Sequence, residues 1–305
     1  MIESREVRGP AQYAAFAGMC LIWGTTFLAI RIGSEAVAPL WGATLRLILA
    51  TFLNVSVAWI TRASWPRGEA LRGIALFGFL NLGVNFALLY WGEQTVPSGI
   101  AAVFYATIPL TTGLFAWMLG VHRLERSKTV AAVVGLAGVV LIFSGELRWG
   151  APATALLGVF TGATLASLAG VILKKVPPHS TFVVNAIGSA IGACVCFVAS
   201  LLLGEPHVIP RTGAAWWPIV YLAIVGNLGA YVLYAWLMSQ WKVTTLSVGA
   251  LIIPVFAVIA GALVRKESPA PETYAGAALV LLGVAMSLFG GRGQAAPRAA
   301  PERQR

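Results

Sequence analysis

The sequence predicts an all-α polytopic membrane protein: ten transmembrane helices arranged as two inverted five-helix repeats. Three observations predict it. The chain is too poor in charge to build a water-facing surface. It carries ten consecutive apolar stretches near spanning length. It also carries an internal repeat with an odd number of stretches in each half.

Of 305 residues, 58% are hydrophobic and 10% are charged. A soluble domain carries about a quarter charged residues, so lipid is the solvent for much of this surface, and membrane lipid is an expected partner. The net charge of +10 would suggest nucleic acid in a soluble protein. Here the cations cluster at the ends of apolar runs, and no basic patch with interleaved aromatics appears. No nucleic-acid partner is expected.

The ten stretches are read in order. The first, 12–31, follows a charged head (Glu3, Arg5, Glu6, Arg8). It is too long for a signal peptide, no small-residue cleavage site ends it cleanly, and more spans follow. The second, 36–60, contains Arg46. The third and fourth, 72–91 and 95–120, and the fifth, 129–145, complete the first half. The sixth is 151–173. The seventh, 180–203, lies between two turn signals, Pro177-Pro178 and Gly204-Glu205-Pro206. The eighth, ninth and tenth are 213–239, 243–264 and 273–290. Each is near or above the ~18 residues that cross a bilayer. Continuous runs without alternation point to helices, not a barrel. The fourth and eighth are long enough to tilt. The chain therefore divides into a first repeat (1–148), a second repeat (149–290) and a cytoplasmic tail (291–305). The tail is rich in Ala, Pro and Arg and reads as disordered. Cys20, Cys194 and Cys196 all lie inside apolar runs, so no loop disulfide is expected.

With the N-terminus inside, fifteen Lys and Arg fall on the inner side and five on the outer. That bias places both termini in the cytoplasm, in a bacterial-type inner membrane. A shift of 145 residues lays Pro109 on Pro254, Gly138 on Gly283 and Gly145 on Gly290. Nearby, Asn81-Leu82-Gly83 matches Asn227-Leu228-Gly229, each followed by a tyrosine, Tyr90 and Tyr234. Because five spans is odd, the second half sits upside down, as in many secondary transporters.

These residues resemble the drug/metabolite transporter superfamily in its ten-helix EamA-type branch. The likeness runs over 12–290. It is carried by Trp23-Gly24, Pro39 with Arg46, Pro109 and Pro254, Val264-Arg265-Lys266-Glu267, and the Gly276 and Gly283 spacing. The resemblance implies export or exchange of small organic solutes, often amino acids, through a cavity between the halves. Overall similarity and aromatic content further resemble amino-acid exporters of the YddG type. One departure is His122, which the repeat places opposite Glu267 where the family often has a Glu; Glu125 lies close by.

All 11 acidic residues are Glu, and each lies in a loop or near a span end. No acid is therefore expected at depth, which argues against a carboxylate-driven antiporter and against dedicated cation coupling. The three histidines are in connections. No metal-ligand spacing and no nucleophile motif appears, so no metal, cofactor or catalytic residue is expected, and the chain does not read as an enzyme.

The candidate substrate-binding residues are polar or aromatic groups inside spans. Arg46 is the only ionised side chain deep in a span, about 10 Å below Pro39 at ~1.5 Å per residue. It reads as a carboxylate anchor, or as a structural arginine bonding helix carbonyls. Asn81 and Asn85 share one face of the third span. Asn227, Tyr231 and Tyr234 follow i, i+4, i+7 on the eighth. Such groups face a cavity or bond between helices, because lipid leaves them unsatisfied. Tyr90, Tyr105, Trp23, Thr26 and Ser247 complete the set. Pro109 and Pro254 interrupt the fourth and ninth helices and read as hinges or static kinks. Small residues on spans 5 and 10 (Ala131, Gly135, Gly138, Gly276, Gly283) read as scaffold or as a dimer surface, for a monomer or homodimer.

The expected function is a secondary transporter of small metabolites, amino acids first, working by alternating access. Alternatives are another metabolite or drug class, an intramembrane lipid-modifying enzyme, and a non-transporting scaffold.

Overall fold

The computed structural model describes residues 9–120, 126–148, 150–241, 246, 249–266 and 269–289. His122, Glu125, Ser247, Glu267 and the tail from 291 lie outside the described residues.

Ten helices fill the described chain. They are α1 (Pro10–Ala36), α2 (Pro39–Ile60), α3 (Gly68–Gly92), α4 (Ser98–Met118), α5 (Arg126–Arg148), α6 (Ala153–Leu173), α7 (Thr181–Leu202), α8 (residues 213–240), α9 (Gly249–Arg265) and α10 (Pro271–Phe289). Eight are long and apolar enough to cross a bilayer, and α9 and α10 are shorter apolar helices. Proline begins α1, α2 and α10, where its fixed φ suits the first turn and its missing N–H costs nothing. Gly120 and Gly204, after α4 and α7, have φ of +68° and +66°, the left-handed geometry that closes a helix and favours glycine.

The first helix runs five residues past its expected end at 31. Polar residues hold that extension in helix. Ser34 Oγ donates to Ile30 O at 2.9 Å, and Glu35 pairs with Arg265 of α9.

Helix packing obeys a two-fold exchange of α1–α5 with α6–α10. The α2–α7, α5–α10 and α4–α9 contacts map onto themselves. The α3–α6, α3–α7 and α4–α6 contacts map onto α8–α1, α8–α2 and α9–α1. Each half carries a π-helical stretch at the matched place, Gly78–Val84 in α3 and Leu222–Gly229 in α8. Such i→i+5 stretches often mark functional positions.

The glycine faces of α5 and α10 meet each other within the chain. A Cβ on Gly138 would stand 2.5 Å from Gly276 O, and one on Gly276 would stand 2.7 Å from Gly138 O. A homodimer through spans 5 and 10 would therefore use their other faces.

The two prolines differ. The fourth helix does break, at Thr107, into Ser98–Ala106 and Ile108–Met118, and Pro109 opens the second piece. Pro254 does not interrupt the ninth; it sits inside the continuous stretch Gly249–Ala260. Thr107 supplies the reason. Its Oγ1 donates to Phe104 O at 2.6 Å, while its carbonyl accepts from the N–H groups of Leu110 and Thr111 at 2.9 and 3.0 Å. The 145-residue repeat places Ile252 there, which has no hydroxyl to offer.

Candidate functional site

Arg46 is 3% exposed. From α2 its Nη1 donates to Tyr90 OH of α3 at 3.1 Å, and its guanidinium lies over the Phe86 ring, 4.8 Å from the centroid. Phe86 and Tyr90 are one helical turn apart, so one face of α3 supplies both contacts. A Cβ on Gly226 would stand 3.9 Å from Arg46 Nη2 and 3.5 Å from Thr26 Oγ1. Glycine in the π stretch of α8 thus lets α2, α1 and α8 close around the cation. Arg46 Nε has no hydrogen-bond partner among the described residues. A guanidinium held by a neutral phenol keeps much of its pull on an anion, because burial weakens dielectric screening.

A second group lies alongside. Asn85 Nδ2 donates to Asn81 O at 2.9 Å, and Tyr105 OH of α4 donates to Asn85 Oδ1. Gly162 of α6 makes the room: a Cβ there would stand 2.9 Å from Asn85 Oδ1. Phe27 of α1 meets the Tyr105 ring edge-on at 5.3 Å. One turn earlier on α1, Trp23 packs on Tyr231 at 6.1 Å and on Tyr234 at 5.8 Å. A single face of α1 therefore joins the two aromatic sets.

Asn227 turns elsewhere. Its Oδ1 accepts from Asn54 Nδ2 of α2 at 3.1 Å, and Asn54 also donates to Ala50 O at 2.8 Å. Both asparagines are buried. The bond ties the first half to the second. Sequence reasoning missed Asn54, although it is the one amide in the second span and had to find a partner.

Glu93 was missed too. It closes α3 at a span end, as expected for an acid, but it is 0% exposed. Glu93 thus lies at a span end, as expected for an acid, and is covered there by neighbouring helices.

A cleft of about 10 Å³ reaches Tyr90 from the ends of α1, α2 and α8, lined by Ile30, Ser34, Pro39 and Pro218 among others. That is room for about one water, against several hundred Å³ in a small-molecule site. Among the described residues no group of three or more His, Cys, Asp or Glu is placed to hold a metal.

Comparison with known proteins gives a family model, the EamA-like transporter family, that matches residues 12–144 and again 153–289. The inner membrane transporter YedA of Escherichia coli K12 is 28% identical over 91% of this chain and 90% of its own length. A protein of the same bacterium named as a probable amino-acid metabolite efflux pump is 27% identical, over 88% and 92%. One of Streptantibioticus cattleyicolor, named as a probable terminal-alkyne amino-acid exporter, is 25% identical over 86% and 88%. A solved crystal structure shares the fold over 93% of this chain and 99% of its own, with a TM-score of 0.61 and 22% identity.

Proposed function

The chain belongs to the EamA-like transporter family, and from that premise we propose that it is a secondary transporter exporting amino acids, aromatic ones included, by alternating access. That it is a membrane transporter and not an enzyme follows from the family. The finer reading is that the half α1–α5 rocks against α6–α10. It works in the bacterial inner membrane with both termini cytoplasmic, as a monomer or homodimer.

The observation that carries the reading is the buried Arg46 guanidinium. Helices from both halves surround it, an aromatic ring lies against it, and no carboxylate among the described residues is paired with it. A free carboxylate beside an apolar or aromatic side chain suits such a place. The two relatives named for amino-acid efflux support the class. Tyr90, Tyr105, Tyr231, Tyr234 and Trp23 supply apolar contact; Asn81 and Asn85 supply polar orientation. Asn227 holds the halves in register through Asn54.

The test is flux of a panel of aromatic and aliphatic amino acids in proteoliposomes holding the purified chain. The expected outcome is flux above protein-free vesicles that Arg46→Ala lowers on the order of 100-fold. A panel without flux above protein-free vesicles removes the amino-acid class.

A further inference from the structure

Arg62 follows α2 with a φ of +51°, the left-handed region where an L side chain is crowded and glycine is not. The turn is a complete Schellman motif: Arg62 N donates to Trp59 O at 3.0 Å and Ala63 N to Ala58 O at 2.9 Å. The repeat supplies a comparison. α7, the counterpart of α2, ends in the same two bonds, Gly204 N to Leu201 O at 3.1 Å and Glu205 N to Ser200 O at 3.0 Å, with glycine at the left-handed position. The turn by itself favours glycine, yet after α2 an arginine stands there. Backbone strain of this kind points to a side chain held for a contact.

The exposed face of α2 leads to the same residue. Ile48, Phe52, Val55 and Trp59 are all exposed, Trp59 at 80%, and their spacing puts them on one stripe. The stripe runs for about 16 Å at ~1.5 Å per residue, and Arg62 follows it just past the helix end. Arg67, exposed at the N-cap of α3, adds a second guanidinium to the same turn. The nearest acid in sequence, Glu69, pairs with Arg72 at 2.6 Å. Arg62 and Arg67 have no carboxylate partner among the described residues.

We propose that the turn between α2 and α3 binds an anionic phospholipid, with an acyl chain along the α2 stripe and the phosphate on Arg62 and Arg67. A guanidinium fork matches two phosphate oxygens. The exposed indoles of Trp59 and Trp65 suit the headgroup level of a bilayer. Charge complementarity selects the lipid: a zwitterionic headgroup brings its own cation to the arginines, and an anionic one does not. In the proposed orientation the lipid comes from the cytoplasmic leaflet. The site goes beyond the amino-acid reading and does not depend on it.

Native mass spectrometry of the detergent-solubilised full chain tests this, with dioleoylphosphatidylglycerol and dioleoylphosphatidylcholine added at equal concentration. Each arginine at a membrane surface is worth about fivefold in affinity for anionic lipid, so the wild type is expected to retain the anionic lipid at least about tenfold over the zwitterionic one. Arg62→Gly removes the charge at a backbone angle that glycine adopts freely. Its thermal midpoint in lipid-free detergent is expected not to fall, while the preference drops about fivefold. Arg62→Lys is expected to keep most of the preference. Arg67→Gln is expected to lower it by a similar factor to Arg62→Gly, and decides should Arg62→Gly fail to fold. Equal retention of the two lipids by the wild type overturns the proposal. So does an unchanged preference in both Arg62→Gly and Arg67→Gln. Displacement of the anionic lipid by an equal concentration of glycerophosphoglycerol, the same headgroup without chains, marks a soluble-anion site and overturns the lipid one. Absence of amino-acid flux in proteoliposomes would remove the amino-acid reading and leave the lipid site standing.

Discussion

The π stretches of α3 and α8 occupy the same place in the two repeats and carry the same Asn-Leu-Gly, yet they do different work. In the first half, Asn81 and Asn85 belong to a polar seam with Tyr105, beside Arg46, Tyr90 and Glu93. In the second half, Asn227 is taken by Asn54, and the face beyond it carries Tyr231 and Tyr234 against Trp23. Backbone symmetry is kept while the charged chemistry sits on one side. An inverted repeat gives the two halves equivalent backbones, while their side chains are free to differ.

The largest expected break in that comparison is Arg46→Ala. Removing a buried charge partner costs about 2–5 kcal/mol, so amino-acid flux should fall on the order of 100-fold. The second-half variant Tyr234→Phe should retain most flux in the same assay.

Next comes the proline pair. Pro254 lies in a helix interior, where proline costs about 3 kcal/mol, whereas Pro109 starts a helical piece after a break. Pro254→Ala should raise the thermal midpoint of the detergent-solubilised protein, with a gain of about 1–3 kcal/mol. Pro109→Ala should change it little. Equal shifts would show that the two prolines burden their helices alike.

A smaller effect is expected at the asparagines. In a double-mutant cycle on unfolding free energy, Asn54→Ala and Asn227→Ala should couple by about 0.6–1.7 kcal/mol, with the substrate KM unchanged. A rise in KM for Asn227→Ala alone would return Asn227 to the binding site. The smallest effect is at the Glu35–Arg265 pair, whose side chains are partly exposed. Arg265→Gln should cost less than about 1 kcal/mol and lose even that at high salt, read as the thermal midpoint in low and high salt.

Much of this fold was legible because lipid imposes length and continuity on each span, and because cations mark the ends. Arg46 stood out for the same reason: a lone charge in an apolar run has to be held. Glu93 and Asn54 did not. An acid at a span end reads as a loop acid, and only the packing of α3 against its neighbours turns it inward. An amide in mid-span reads as helix glue with no named partner until α2 and α8 are placed side by side. The prolines misled because the kink depends on Thr107, two residues earlier, as much as on Pro109 itself.

The contact of α5 with α10 has a mechanical consequence. Carbonyl oxygens of one helix lie against the α-carbons of the other, with no side chain interposed at Gly138 and Gly276. Val280 and Ile142 seat their side chains against the opposite glycines, so the seam is keyed on either side of the backbone contact. A methyl added at position 138 would stand 2.5 Å from a backbone oxygen and prise the two helices apart.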